Sequence, residues 1–248
     1  MSMTGDFLIT KEFLKELSPC TDGYRWFCET YPDGGKYQEI LDRLCELDRF
    51  CDARWLLNKV GATNDVLEID SIDDKEKSIC FAGTIIASKD LTLKNIKAGR
   101  SIEAGGSIKA GESIKAGGSI KAGGYIEAGG YIEAGEYIEA SEYIEAGWSI
   151  EADEYIEAGG YIEVGGCIKA GGSIKAGRSI KAGGYIEAGE SIKAGGYIKA
   201  GESIEAGENY GVYAGLRVRI SDMKEIGYIK AQEKPKNIMC GYWEENQI

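Results

Sequence analysis

The sequence predicts a mainly β chain: a triangular, single-stranded β-solenoid (β-helix) of about six coils, with a small α-helical domain before it and a C-terminal cap after it. Three observations predict it. Nineteen hexads of consensus [SY]-I-[KE]-A-G-x follow one another without an insertion from Ile96 to Ile204. Glycine supplies 36 residues and proline only three, without the spacing of collagen. Ahead of the repeats, apolar residues recur at helical rather than alternating spacing.

The elements follow in chain order. Residues 1–64 read as four short helices. Thr10 is placed to cap "KEFLKEL", "DGYRWFCETYP" ends at Pro32, "YQEILDRLCELD" is amphipathic, and "RFCDARWLLNKVG" closes at Gly61. The aromatic residues Trp26, Phe27, Phe50 and Trp55 are expected in the core of this module. Residues 65–94 hold the β-branched runs "VLEIDSI", "SICFAGTIIAS" and "LTLKNI", read as a strand-rich transition that starts the stack. Residues 95–208 are the hexads. In each, Ile and Ala sit two apart and point inward from a strand, while the Lys or Glu between them points out. The following Gly is expected to supply the permissive backbone of a corner. Three strands and three corners make an 18-residue coil, favoured over a two-sided coil of 12 residues whose core would be thinner, so about six coils stack over roughly 30 Å at ~4.8 Å per strand. Residues 209–248 break the hexad and read as a cap, so both ends of the solenoid are expected to be covered.

Charge and composition exclude several functions. The formal net charge of −12 argues against direct binding to nucleic acid or to an anionic membrane, and favours a basic protein partner. No stretch reaches the length of a membrane span, and the N-terminus lacks a signal-peptide pattern, so a cytoplasmic protein is expected. Seven cysteines without a CxxC pair fit buried thiols in a reducing compartment. Histidine is absent, which removes the commonest general base and metal ligand. No nucleophile arrangement or phosphate loop stands out, and a convex rod offers no pocket to raise a carboxylate pKa. The expectation is a non-enzyme without cofactor or metal.

The hexads resemble the left-handed β-helix of hexapeptide-repeat acyltransferases, with the order reversed: here Ile comes first and the small Ala follows two later. That family is understood to use a histidine base, so its activity is not expected here. The repeats also look like those of the bactofilins, polymer-forming bacterial cytoskeletal proteins. Most of the chain is similar to uncharacterised bacterial and phage or prophage proteins, which join a leader resembling "ITKEFLKELSPCTDGYRWF … RFCDARWLLNKVG" to tracts of "IKAGG" and "IEAGG". That resemblance implies a bacterial host cytoplasm and a phage-associated role.

The stretch "GGYIEAGGYIEAGEYIEASEYIEAGWSIEADEYIEAGGYIEVGG" carries the functional expectation. Its outward position is glutamate seven times running: Glu127, Glu133, Glu139, Glu145, Glu151, Glu157 and Glu163. Tyr125, Tyr131, Tyr137, Tyr143, Tyr155 and Tyr161 precede the isoleucines of the same block, and the corners add Glu136, Glu142, Asp153 and Glu154. With an 18-residue coil, Glu127, Glu145 and Glu163 fall in one column beside a ladder of Tyr125, Tyr143 and Tyr161. Stacked like charges oppose folding, so a sequence selected only for stability would alternate signs along each column. The belt therefore reads as a partner-binding surface, in which tyrosines supply contact area and carboxylates supply field. The expected partner is a protein, in its sharpest form a nucleic-acid-binding host defence complex inhibited by a nucleic-acid-like array of charges. A homodimer through the helical domain or the caps is a further expectation. Duplication of "GGYIEA" by slippage and a purely structural rod, whether filament subunit or virion or tail component, are the rival readings.

Overall fold

A computed structural model describes residues 4–244. Four helices open it: α1 (Lys11–Glu16), α2 (Thr21–Thr30), α3 (Tyr37–Glu46) and α4 (Phe50–Val60). The local signals act as the residues dictate. Phe13 N–H donates to the Thr10 hydroxyl oxygen at 3.2 Å, which caps α1. Gly61 ends α4 with φ 97°, a conformation that disfavours a side chain. Leu14, Phe27, Tyr37, Ile40, Leu41, Leu44, Ala53, Leu56 and Leu57 form the core of the helical layer. Of the four aromatic residues expected there, Phe27 is buried, while Trp26, Phe50 and Trp55 are half-buried. Trp26 and Trp55 help line an apolar recess of about 260 Å³.

The helical layer docks on the outer side of the solenoid's first coil. Its core includes Cys80 and Ala82, which lie on the strand Ile72–Phe81 and just after it. Gln38 of α3 bonds to that strand's backbone like a short strand of its own. Its amide donates to the Cys80 carbonyl at 3.0 Å and accepts from Ala82 N–H at 2.9 Å. Burial pushes the thiol of Cys45, near Cys80, up to about 12, as befits a structural cysteine in apolar surroundings.

From Val66 onward the chain is a parallel β-solenoid with three faces. Face one stacks ten strands, from Val66–Ile69 to Ile238–Cys240. Faces two and three share a 16-stranded sheet. The long strands Ile72–Phe81 and Leu91–Ala98 join those two faces by bending round one corner. Through the hexads each strand pairs in register with the strand 18 residues away, as in Ile120↔Ile138 and Ile126↔Ile144. The isoleucines stack in three columns at 0–2% exposure, and the alanines two residues on complete the core. Each buried isoleucine contributes roughly 1.5–3 kcal/mol of transfer free energy.

The stack is longer than the hexads alone predict, about ten coils rather than six. The segment 65–94 is already coil: Leu67 and Ile69 pair with Ile85 and Ala87, and Leu91 and Leu93 with Ile108 and Ala110. Beyond the repeats, Val212–Tyr213 and Ile238–Cys240 extend face one, while Tyr228–Lys230 and Tyr242–Trp243 extend face two. Face three stops at Ile204–Glu205.

Two further expectations need correction. The corner glycines of the hexads do not use left-handed backbone, since Gly34, Gly61, Gly215 and Gly241 are the glycines with positive φ among the described residues. Their role is close stacking. A Cβ built at Gly165 would lie 2.1 Å from the Gly147 carbonyl oxygen. Ser141 and Asp153 occupy the same corner position in their own rungs, so the contact yields to a small local shift. The covering of the N-terminal end is also partial. Val66–Ile69 and Ile72–Phe81 each pair on one side only, and Gln38 bonds just the Cys80–Ala82 stretch. The remainder is edge strand, with Val66 51% exposed and Glu68, Asp70, Asp73, Asp74, Lys75, Glu76 and Lys77 along it. Charged edges of this kind resist strand-on-strand association.

Candidate functional site

The hexad fixes where each belt residue falls. The outward residue of a strand stacks on the outward residues 18 before and 18 after it, so the seven glutamates divide among three faces. Face two holds Glu127, Glu145 and Glu163. Face one holds Glu139 and Glu157, and face three holds Glu133 and Glu151. The structure therefore brings together the predicted column of three, and sets the other four on different sides of the rod. No flat partner touches all seven.

The ends of the columns are lysines, a feature missed when the hexads are read singly. On face two, Lys109 meets Glu127 at 2.6 Å and Lys181 meets Glu163 at 2.5 Å. On face one, Lys121 meets Glu139 at 3.4 Å, and Lys175 pairs with Glu157. On face three, Lys115 pairs with Glu133, and Glu151 stacks beside Lys169. Glu145 differs from the rest. Its neighbours in the column are both carboxylates, Glu127 and Glu163, whereas Glu151, which likewise has no ion-pair partner among the described residues, has Lys169 on the next rung, turned to Glu187.

The tyrosines form ladders beside these columns. Tyr125 and Tyr143 stack at 4.7 Å and 4°, Tyr143 and Tyr161 at 4.9 Å and 4°. Tyr137 and Tyr155 stack at 4.8 Å and 1° on face one. Each spacing is the strand repeat itself, and such pairs add about 0.5–1.5 kcal/mol beyond area burial. Tyr131 stands apart, 43% exposed, against Trp148, which is 61% exposed and tilted by 55° at 5.4 Å. Trp148 escaped the sequence reading because it sits at a corner, outside the Tyr position. Of the corner acids, Glu136 accepts from the Ser119 hydroxyl at 2.6 Å. Glu142 is exposed and lines a recess with Tyr143, Gly160, Tyr161 and Arg178. Asp153 and Glu154 are exposed beside Tyr155.

Among the described residues, face two is thus the one strip with three stacked rings and three stacked carboxylates. Burial is the main cause that pushes the Tyr143 hydroxyl up to about 12, and Tyr125, Glu127, Tyr161 and Glu145 add to it in that order. An unfolded tyrosine ionises near pH ~10. A raised pKa on an acid means the folded chain holds the proton more tightly. The stability from this group is therefore full below pH ~10 and drains as pH rises from ~10 towards 12. A phenolate absorbance titration of the native protein should show a late-titrating class, to which Tyr37, Tyr155 and Tyr161 also belong, that shrinks by one tyrosine in Tyr143→Phe. Among the described residues no group of three or more Cys, Asp or Glu is arranged to hold a metal.

Fold and surface together define the class: a parallel β-solenoid with an N-terminal helical domain and an ordered aromatic and acidic strip on one face. Residues 1–63 match the family described as the YdhT N-terminal domain. The match covers the four helices and stops before the first solenoid strand at Val66. No curated protein and no solved structure matches the chain. No helix of the described residues is long and apolar enough to cross a membrane.

Proposed function

We propose that the protein is a non-catalytic binding rod that docks a basic protein surface on face two, through Tyr125, Tyr143 and Tyr161 and through Glu127, Glu145 and Glu163. The observation that carries this reading is Glu145, a carboxylate held between two others with no cation on either adjacent rung of its column, at a cost to folding that a lysine there would remove. The flat edges of the tyrosine ladder supply contact area beside it, as aromatic residues do at interfaces.

The partner's chemistry follows from the strip's size. Three carboxylates at the strand repeat span about 10 Å, the length of a few phosphates along a nucleic-acid strand. Such a strip matches a basic patch on a nucleic-acid-binding protein rather than a whole duplex channel. The sharper form of the proposal is inhibition of such a protein, in a bacterial host a defence complex, by occupying that patch. The helical domain then serves as a second contact.

The test is capture from nuclease-treated bacterial lysate by the full chain and by a variant with Glu127, Glu145 and Glu163 changed to glutamine. A basic, nucleic-acid-binding protein held by the natural strip, released by salt and absent from the glutamine variant, is the expected result. Equal capture by both overturns the reading, and recovery of the chain with itself alone favours the structural rod.

A further inference from the structure

One position on face two interrupts the tyrosine ladder. The residues ahead of successive isoleucines there are Tyr125, Tyr143, Tyr161, Ser179 and Tyr197, and the register Ile162↔Ile180↔Ile198 places the last three on consecutive rungs. Above the interruption the ladder resumes: Tyr197 and Tyr228 stack at 5.0 Å and 6°. Tyr161 and Tyr197 therefore stand two strand spacings apart, about 9.6 Å. A ring midway would lie ~4.8 Å from each, inside the range of offset aromatic stacking.

The walls of this gap face the same way. Tyr161 keeps its hydroxyl end against Glu145, the outward residue of the rung below, which after burial is the largest cause of its raised pKa. Lys181 stands in the same relation to Tyr197 and interacts with its phenol. Neither neighbouring cation needs the gap. Lys181 turns to Glu163 at 2.5 Å, and Arg178 lines the recess with Glu142, Gly160 and Tyr161. Among the described residues no other ladder has this form. Beyond Tyr155 on face one come Ser173 and Ser191, and on face three Ser149 and Cys167 separate Tyr131 from Tyr185.

We propose that the gap at Ser179 is a slot for one tyrosine side chain of the protein partner, which slides between Tyr161 and Tyr197 and restores the unbroken ladder. The inference rests on the face-two reading above and adds the contact that gives it specificity. A tyrosine fits because its ring matches the walls and its hydroxyl reaches the place where a ladder tyrosine on this rung would put its own, beside Glu163 and Lys181. The acidic strip directly below, Glu145 and Glu163, orients a partner whose tyrosine is flanked by basic residues.

The test uses p-cresol, the tyrosine side-chain analogue, titrated into the full chain while the ring resonances of Tyr161, Tyr197 and Tyr125 are followed by NMR. Saturable shifts at Tyr161 and Tyr197, absent at Tyr125, are expected. Ser179→Ala keeps the slot and should keep the shifts. Ser179→Tyr fills it with the residue that other rungs carry, and should weaken cresol binding by at least about tenfold. No shifts in the natural protein, or equal shifts in Ser179→Tyr, overturn the slot. In the lysate capture, loss of the partner from Ser179→Tyr but not from Ser179→Ala supports the proposal. Retention by both removes the slot as the contact and leaves the face-two reading standing. Failure of the natural chain to capture any partner overturns that reading instead, and the cresol shifts then decide the slot alone.

Discussion

Changing Ile156 to aspartate is expected to abolish the folded solenoid, and changing it to alanine to cost about 2–5 kcal/mol, against about 0.5–1.5 kcal/mol for valine. Ile156 is 0% exposed and stacks between Ile138 and Ile174 near the middle of face one. Its surroundings are other isoleucines and alanines in near-identical rungs, so no flexible neighbour is at hand to fill the void that alanine leaves. Aspartate adds the penalty of a buried, unpaired carboxylate, several kcal/mol by itself. Against a total of roughly 5–15 kcal/mol for a typical domain, that is enough to unfold it. Because each coil touches only its neighbours, a weakened rung also uncouples the halves on either side. Urea unfolding of the alanine variant should show a lower midpoint, and hydrogen exchange should show the two halves opening separately. An unchanged midpoint would show that the core tolerates a gap, contrary to the close packing described.

The second large effect has opposite signs for stability and function. Glu145→Lys turns the face-two column into an alternation of lysine and glutamate from Lys109 to Lys181. Two repulsive cross-strand pairs become attractive, each worth about 0.2–1 kcal/mol. The midpoint of thermal unfolding should rise, and more so at low salt. Partner capture should be lost in the same variant. Glu145→Gln removes the repulsion without adding attraction, and should fall between the two in stability. Reversing all seven glutamates is a poorer test, because it breaks the pairs with Lys109, Lys115, Lys121, Lys175 and Lys181 and lines up lysines through each column. A variant of Glu145 that is more stable and still binds would separate the strip from the function.

Much of this was legible in the residues, for reasons that also explain the gaps. Ile and Ala two apart, with a charge between them, can only be a strand with one face buried. The step of six fits a two-sided or a three-sided coil, and the thicker core of the three-sided one favours it. The column Glu127, Glu145, Glu163 and the ladder Tyr125, Tyr143, Tyr161 followed from that geometry alone. Leu67 with Ile69, and Leu91 with Leu93, carry the same spacing, but irregular connections hide the period there. The C-terminal rungs are harder still, since Val212 falls two residues out of step with Ile192, and Ile229 reaches Ile198 across a long loop. The lysines that end the glutamate columns stood in plain sight, yet their role depends on every third hexad being the neighbour in space. Gln38 gave no signal, because its value lies in the backbone of Cys80 and Ala82, more than forty positions away.

That three-fold alternation has an arithmetic of its own. A run of six glutamate hexads deals two carboxylates to each face, and every one of them then has a lysine next to it. The seventh hexad gives one face a third carboxylate, and only then does a glutamate of the run stand with no cation on either side: Glu145. One copy fewer would leave every glutamate of the run beside a lysine, and two copies more would create the same environment on all three faces. The number of repeats, a quantity that duplication changes easily, thus acts as a counter that sets how many faces carry an uncompensated charge, without altering a single residue type.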